Sequence, residues 1–185
     1  SIAIDFASGR GLGLCLKGFC LRQKSDYNLG IEILNEALDI ANKTNNKTIK
    51  AIGHYYLGNI YRDLGDLANV LYNYDTALAI NQEMGDEYYM AVIQSSISNL
   101  LFDFNDLSGA LEYALKCLPI FERVNNVNSL LNIHNTLGNI YFKQENYNDS
   151  LRAFEQNLKR SEPGTSAYLI AESGRGKVND KLGEL

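Results

Sequence analysis

Apolar residues recur along this chain at intervals of three and four, and short polar stretches interrupt the runs at almost even spacing. Between Tyr27 and Lys43, the residues Ile31, Leu34, Ala37, Leu38 and Ala41 share one helical face, which predicts an amphipathic helix. The same rule predicts helices over 7–23, 48–64, 67–83, 87–104, 107–124, 128–144, 147–160 and 166–182. The interruptions are Lys24-Ser25-Asp26, Asn45-Asn46, Gly65-Asp66, Gly85-Asp86, Asn105-Asp106, Asn125-Asn126, Asn146 and Pro163-Gly164. Glycine and asparagine readily take the left-handed backbone that ends a helix, and proline lacks the donor that would continue one. Thr48 is the expected N-cap of its helix.

The interruptions keep time. Tyr27, Leu67, Leu107 and Tyr147 follow a turn at 40-residue intervals, and Leu185 comes 38 residues later. Leu57-Gly58-Asn59-Ile60-Tyr61 returns letter for letter as Leu137-Gly138-Asn139-Ile140-Tyr141, with His54 and His134 three residues before each leucine. Midway stands Ser98-Asn99-Leu100-Leu101, which keeps the asparagine. A period of this size with two helices per unit predicts a solenoid, because one helical hairpin cannot bury its apolar faces alone. Gly18, Gly58, Gly138 and Gly176 fall at one place in the first helix of their units, and Ser98 holds that place in the third. A glycine there costs about 0.8–1 kcal/mol against alanine, so close approach of the paired helix is the expected compensation.

These residues resemble the tetratricopeptide repeat, whose pattern is Trp-x2-Leu-Gly-x2-Tyr, then Ala-x3-Phe and a second Ala. Repeat two supplies His54, Leu57, Gly58 and Tyr61, then Val70, Tyr74 and Ala77; repeat four supplies His134, Leu137, Gly138 and Tyr141, then Ser150 and Phe154. Repeat three is poorer (Gln94, Ile97, Ser98, Leu101, Ala110), and repeat one carries Lys17 where leucine is usual. The period exceeds the family's usual length of about 34 residues. It is similar to the longer-helix branch of bacterial regulatory proteins, kinesin light chains and the receptors of G-protein regulators.

The resemblance implies an all-α fold: an α-solenoid, coiled as a right-handed superhelix of tandem antiparallel helix hairpins. One array would span 1–185, with repeats at about 7–46, 47–86, 87–126 and 127–164 and a partial fifth at 165–185. It also implies a concave groove lined by the first helix of each repeat. Carried onto this chain, the groove positions are Phe19 and Arg22, then Tyr55, Asn59, Arg62 and Asp63. Ser95, Asn99, Phe102 and Asp103 follow, then Asn135, Asn139, Phe142 and Lys143, with Lys177 and Lys181 on the last helix. Asn59, Asn99 and Asn139 would form a ladder. Packed helices lie about 8–10 Å apart and an extended peptide advances about 3.3 Å per residue, so an amide would meet every third peptide residue. Long-repeat relatives use asparagines in this way. The alternative is that the asparagines bridge neighbouring helices without touching a ligand. Phe102 and Phe142 are either apolar anchors for a partner or packing between first helices. If the ladder reading holds, Asn59→Ala with Asn99→Ala weakens partner binding with little change in melting temperature. Lysines beside the asparagine mark the subfamily that clamps a C-terminal carboxylate; Tyr55, Ser95 and Asn135 stand there instead.

Composition narrows the function further. Hydrophobic content of 45% with 21% charged residues suits a folded protein. The net charge of −5 without a basic run speaks against nucleic acid. No stretch reaches 18 apolar residues, so no membrane span is expected. The three cysteines, Cys15, Cys20 and Cys117, read as small buried apolar residues in a reducing, cytoplasmic setting.

Catalysis finds no constellation. His54 and His134 occupy the place where tryptophan usually packs between paired helices, and no cluster has metal-ligand spacing. Gly9-Arg10-Gly11-Leu12-Gly13 and Gly174-Arg175-Gly176-Lys177 lie in predicted helices with no strand before them, which excludes a phosphate loop. The expectation is therefore a non-enzymatic protein- or peptide-binding module without cofactor or metal. The resemblance implies the sensor or scaffold part of a larger bacterial signalling protein, joined to a diguanylate cyclase, histidine kinase or transcription-factor output domain. Two alternatives stand beside it: a scaffold that dimerises through its last helix, and a sensor whose shape responds to a small ligand or peptide pheromone. The first residue is not methionine, and the chain stops at Leu185 on an unpartnered helix, so a longer parent is expected.

Overall fold

A computed structural model describes residues 2–183, with side chains over 6–183. The described residues form helices α1 (Ile2–Gln23), α2 (Tyr27–Thr44), α3 (Lys47–Leu64), α4 (Leu67–Met84), α5 (Glu87–Asp103), α6 (Leu107–Val124), α7 (Val127–Lys143), α8 (Tyr147–Arg160) and α9 (Ser166–Leu182), and no strand. The helices agree with the sequence periodicity to within a residue or two, except that α1 begins earlier, at Ile2. The expectation for Leu185 lies outside the described residues.

One device ends and restarts most helices. A residue in the left-handed region closes the helix: Asn45 (φ 50°), Gly65 (φ 75°), Gly85 (φ 70°), Asn105 (φ 62°) and Asn125 (φ 49°). The next residue then caps the following helix. Asn46 accepts the Ile49 N–H at 3.0 Å, Asp66 that of Asn69 at 3.2 Å, and Asp106 that of Gly109 at 3.0 Å. The cap of α3 is thus Asn46, not Thr48: an oxygen must sit three residues before the N–H that it satisfies.

The chain divides into two compact units, 1–93 and 94–185, with the boundary inside α5. In the first, α1–α4 enclose Cys15, Leu34, Ile49, Ile60, Val70 and Tyr74; in the second, Phe121, Leu130, Ile133, Ile140, Phe154 and Val178 are buried. Both are built from tandem antiparallel hairpins, the all-α class expected. Cys15 and Cys117 are buried free thiols, whereas Cys20 is exposed. Helical geometry explains this correction, since five residues turn Cys20 well away from the face Cys15 presents to α3.

The repeated glycine does what its position implies. A Cβ on Gly18 would lie 2.5 Å from the Leu34 side chain, on Gly58 2.5 Å from Tyr74, and on Gly138 2.7 Å from Phe154. Each large residue stands 16 places after its glycine. In the third repeat both partners change, Ser98 facing a hairpin that carries Ala114, and the Ser98 hydroxyl donates to the Ala110 carbonyl at 2.7 Å. The fourth repeat mirrors that bond: Ser150 on its second helix donates to the Gly138 carbonyl at 2.7 Å. On α9 the expectation fails at Gly176, where a Cβ would meet nothing within 4 Å. Gly174 makes the close approach instead, a Cβ there lying 2.5 Å from Phe154, so that ring is flanked by glycines from α7 and α9.

Candidate partner-binding surface

In the first unit the expected groove residues largely engage one another. Arg22 on α1 grips Asp63 on α3 through two bonds, Nε to Oδ2 at 2.7 Å and Nη2 to Oδ1 at 3.0 Å. Both side chains are mostly shielded, at 18% and 24% exposure. Burial disfavours the charged guanidinium, but the bond to Asp63 and its charge prevail and raise the Arg22 pKa above its ordinary value. Phe19 lies against Tyr56, ring centroids 5.4 Å apart, and Tyr55 stacks on Tyr74 at 6.1 Å. Arg62 is half-buried and outside the ion pair.

Asn59 departs from the ladder expectation. It is only 6% exposed, and its Oδ1 accepts the Tyr74 hydroxyl at 2.7 Å. Tyr74 sits in the motif's phenylalanine position, fully buried, with its hydroxyl needing a partner. Asn59 supplies it, so its amide faces α4 and the bridging alternative describes it.

The second unit is more open. Asn99 Oδ1 lies 2.9 Å from the Thr136 hydroxyl, which also lies 3.0 Å from the Asn132 carbonyl and can donate to either. Phe102 lies under the Lys143 ammonium, 4.3 Å from the ring centroid, and Phe142 meets Tyr147 at 5.8 Å. Both phenylalanines therefore have intramolecular neighbours. Ser95 is half-buried, and Asn135 keeps its Oδ1 buried without a hydrogen-bond partner. Asn139, half-buried, makes no side-chain hydrogen bond among the described residues. It borders a shallow depression with Ser173, Gly174, Lys177 and the exposed Leu169 and Ile170 of α9. The sequence explains its freedom. Phe154 replaces Tyr74 and lacks the hydroxyl, while Gly174 of the compressed last repeat corresponds to Thr136 and has no side chain.

The two histidines pack between helices as expected but differ in their bonding. His54 Nδ1 lies 2.8 Å from Asn73 Oδ1, while the Asn73 amide donates to the Asn69 carbonyl, which makes the imidazole the donor. The place of Asn73 is taken by Ala153 in repeat four, and His134 Nε2 is buried without a partner. Burial lowers both pKa values. That of His134 falls to about 4, with the Arg160 charge adding to the effect; at His54 the Asn73 bond opposes the drop. Sequence reasoning missed Tyr56, Tyr74, Thr136 and Ser173, although the Tyr74 hydroxyl in a phenylalanine position was a readable signal.

Comparison with known proteins follows the same lines. The family model described as Tetratricopeptide repeat matches residues 90–131 and 130–162. No curated protein matches the sequence. Among solved structures, BtubC (BKLC) from P. vanneervenii is similar with a TM-score of 0.83 at 17% identity, covering 96% of this chain and 75% of that one. Kinesin-light-chain-like, nearly identical TPR-like repeats from Podosopora anserina give 0.74 at 13%, covering 96% and 89%. A single-substitution variant of the latter gives 0.75 at 13%, covering 96% and 88%. Identities this low speak to fold alone. Among the described residues no helix is long and apolar enough to cross a membrane.

Proposed function

We propose that this chain, a tetratricopeptide-type repeat protein, binds an extended protein segment along the first helices of its repeats and catalyses no reaction. Tetratricopeptide proteins are generally protein-interaction scaffolds. The observation that carries the reading is Asn139, whose amide borders the α7–α9 depression beside Ser173, Lys177 and exposed Leu169 and Ile170. A side-chain amide there can donate to and accept from a peptide backbone at once, and the exposed leucine and isoleucine offer apolar contact next to it. In the cell we place the chain in the cytoplasm as the sensor or scaffold part of a larger bacterial signalling protein.

The test uses a random library of extended peptides panned against the chain. Binders are then titrated against wild type and the Asn139→Ala/Lys177→Ala double variant. The expected loss is about tenfold in affinity, the scale of one amide pair and one exposed charge, with the melting temperature unchanged within about 2 °C. A library whose binders all ignore the double substitution refutes the reading.

A second reading rests on the same exposed pair. Leu169 and Ile170 are 55% and 52% exposed and suit self-association through α9. Sedimentation showing a monomer at high concentration removes it.

A further inference from the structure

A second cleft lies within the first unit, between the N-terminal half of α3, the end of α4 and the start of α5. It encloses about 350 Å³, part of it open to solvent, and its narrow floor has room for about one water-sized group. Three tyrosines line it: Tyr55 and Tyr56 from α3, ring centroids 5.6 Å apart, and Tyr89 from α5. Ile52, Met84 and Asp86 lie beside them, and Asp86 is the one charged residue in the lining. Lys47 and Lys50 border a different depression, and Lys47 is paired with Glu83 at 3.1 Å.

We infer that this cleft receives the ammonium tip of a lysine side chain from the bound partner. This rests on the reading that the chain binds a protein. Aromatic faces attract a cation through their ring quadrupoles, and a carboxylate at the rim adds a counter-charge. The α5 N-terminus lies close by, and a helix start carries roughly half a positive charge. The Asp86 carboxylate sits at that terminus and offsets it. Asp86 also caps the helix, its Oδ1 accepting the Tyr89 N–H at 3.0 Å, which ties the carboxylate to the aromatic wall. The chain's net charge of −5 favours a cationic partner at longer range. A neutral aliphatic tip would gain the apolar contact and forgo both electrostatic ones, and a carboxylate would be repelled.

The probes are acetyl-lysine methylamide, its uncharged isostere acetyl-norleucine methylamide and acetyl-glutamate methylamide, titrated into the intact chain by heteronuclear NMR. The lysine probe is expected to move resonances of Tyr55, Tyr56 and Tyr89, the norleucine probe to bind about fivefold more weakly, and the glutamate probe not to bind. Asp86→Asn keeps a good helix cap and removes the charge; it should weaken the lysine probe about twofold and leave the norleucine probe unchanged. Tyr56→Leu should reduce the preference for lysine to about the twofold that Asp86 supplies. Equal binding of lysine and norleucine, tighter glutamate, or shifts confined to other helices overturns the inference. Those results leave the α7–α9 depression untouched, since its own variants are read with library peptides.

Discussion

Leu57–Tyr61 and Leu137–Tyr141 are the same five letters on equivalent helices, yet they end in different surroundings. In the first copy the asparagine is buried and holds a tyrosine hydroxyl; in the second it opens onto a depression. The histidine before the first copy has an amide partner, and the one before the second has a bare imidazole nitrogen. The difference lies in what each motif faces. Tyr74 and Asn73 on α4 become Phe154 and Ala153 on α8, so two hydrogen bonds disappear while the glycine contact survives. Identical words can thus serve packing in one repeat and be available for recognition in another.

The part common to both copies should be the most costly to break. Gly138→Ala with Gly174→Ala drives two methyl groups at the Phe154 ring and should lower stability by about 2–4 kcal/mol, overpacking outweighing the helix propensity gained. Chemical denaturation measures it, and a double variant as stable as wild type removes the close-approach argument. Gly138→Ser with Phe154→Ala imitates the third repeat and should cost less than the sum of its parts.

The histidines should separate by pH. His134 titrates near 4 in the folded chain and near 6.5 unfolded, so the unfolded chain binds the proton more readily. Its contribution is complete above about pH 6.5 and is lost as pH falls towards 4, on the order of 3 kcal/mol in all. His134→Gln should flatten that part of the stability–pH curve, and His54→Gln should flatten it less. Equal slopes in the two variants contradict the distinction.

Making repeat two resemble repeat four is a gentler intervention. Tyr74→Phe leaves the Asn59 acceptor without its donor and should cost about 1–2 kcal/mol. Asn59→Ala should likewise lower the melting temperature, against the ladder expectation, whereas Asn139→Ala should not. Similar thermal shifts for the two asparagine variants sink the contrast. Smallest of all, Arg22→Lys forfeits the two-pronged grip on Asp63 and should cost about 0.5–1 kcal/mol, read as a small shift in the denaturation midpoint.

Most of the architecture was legible because its causes are local. A left-handed Asn or Gly followed by Asp or Asn closes one helix and caps the next, and both halves of that device are adjacent letters. The glycine-to-bulk spacing of 16 residues is almost as local, since a short turn leaves the paired helix little freedom. The candidate surface was legible only as a set of helix faces. Arg22 and Asp63 were both placed there, but their mutual grip spans 41 residues and two repeats. Cys20 was misplaced because a five-residue offset turns it off the face that Cys15 buries, and Gly176 because the close approach to Phe154 falls two residues earlier, at Gly174.

By itself, then, the sequence determined the period, the helices, their caps and the faces they present, all of which follow from contacts within a repeat or between neighbouring residues. Only the tertiary structure decided which asparagine is available, which histidine is unpartnered and where tyrosines converge around Asp86. Each depends on whether a side chain from another helix brings a hydroxyl, an amide, a ring or nothing to the same point in space, and residue spacing along one chain does not encode that meeting.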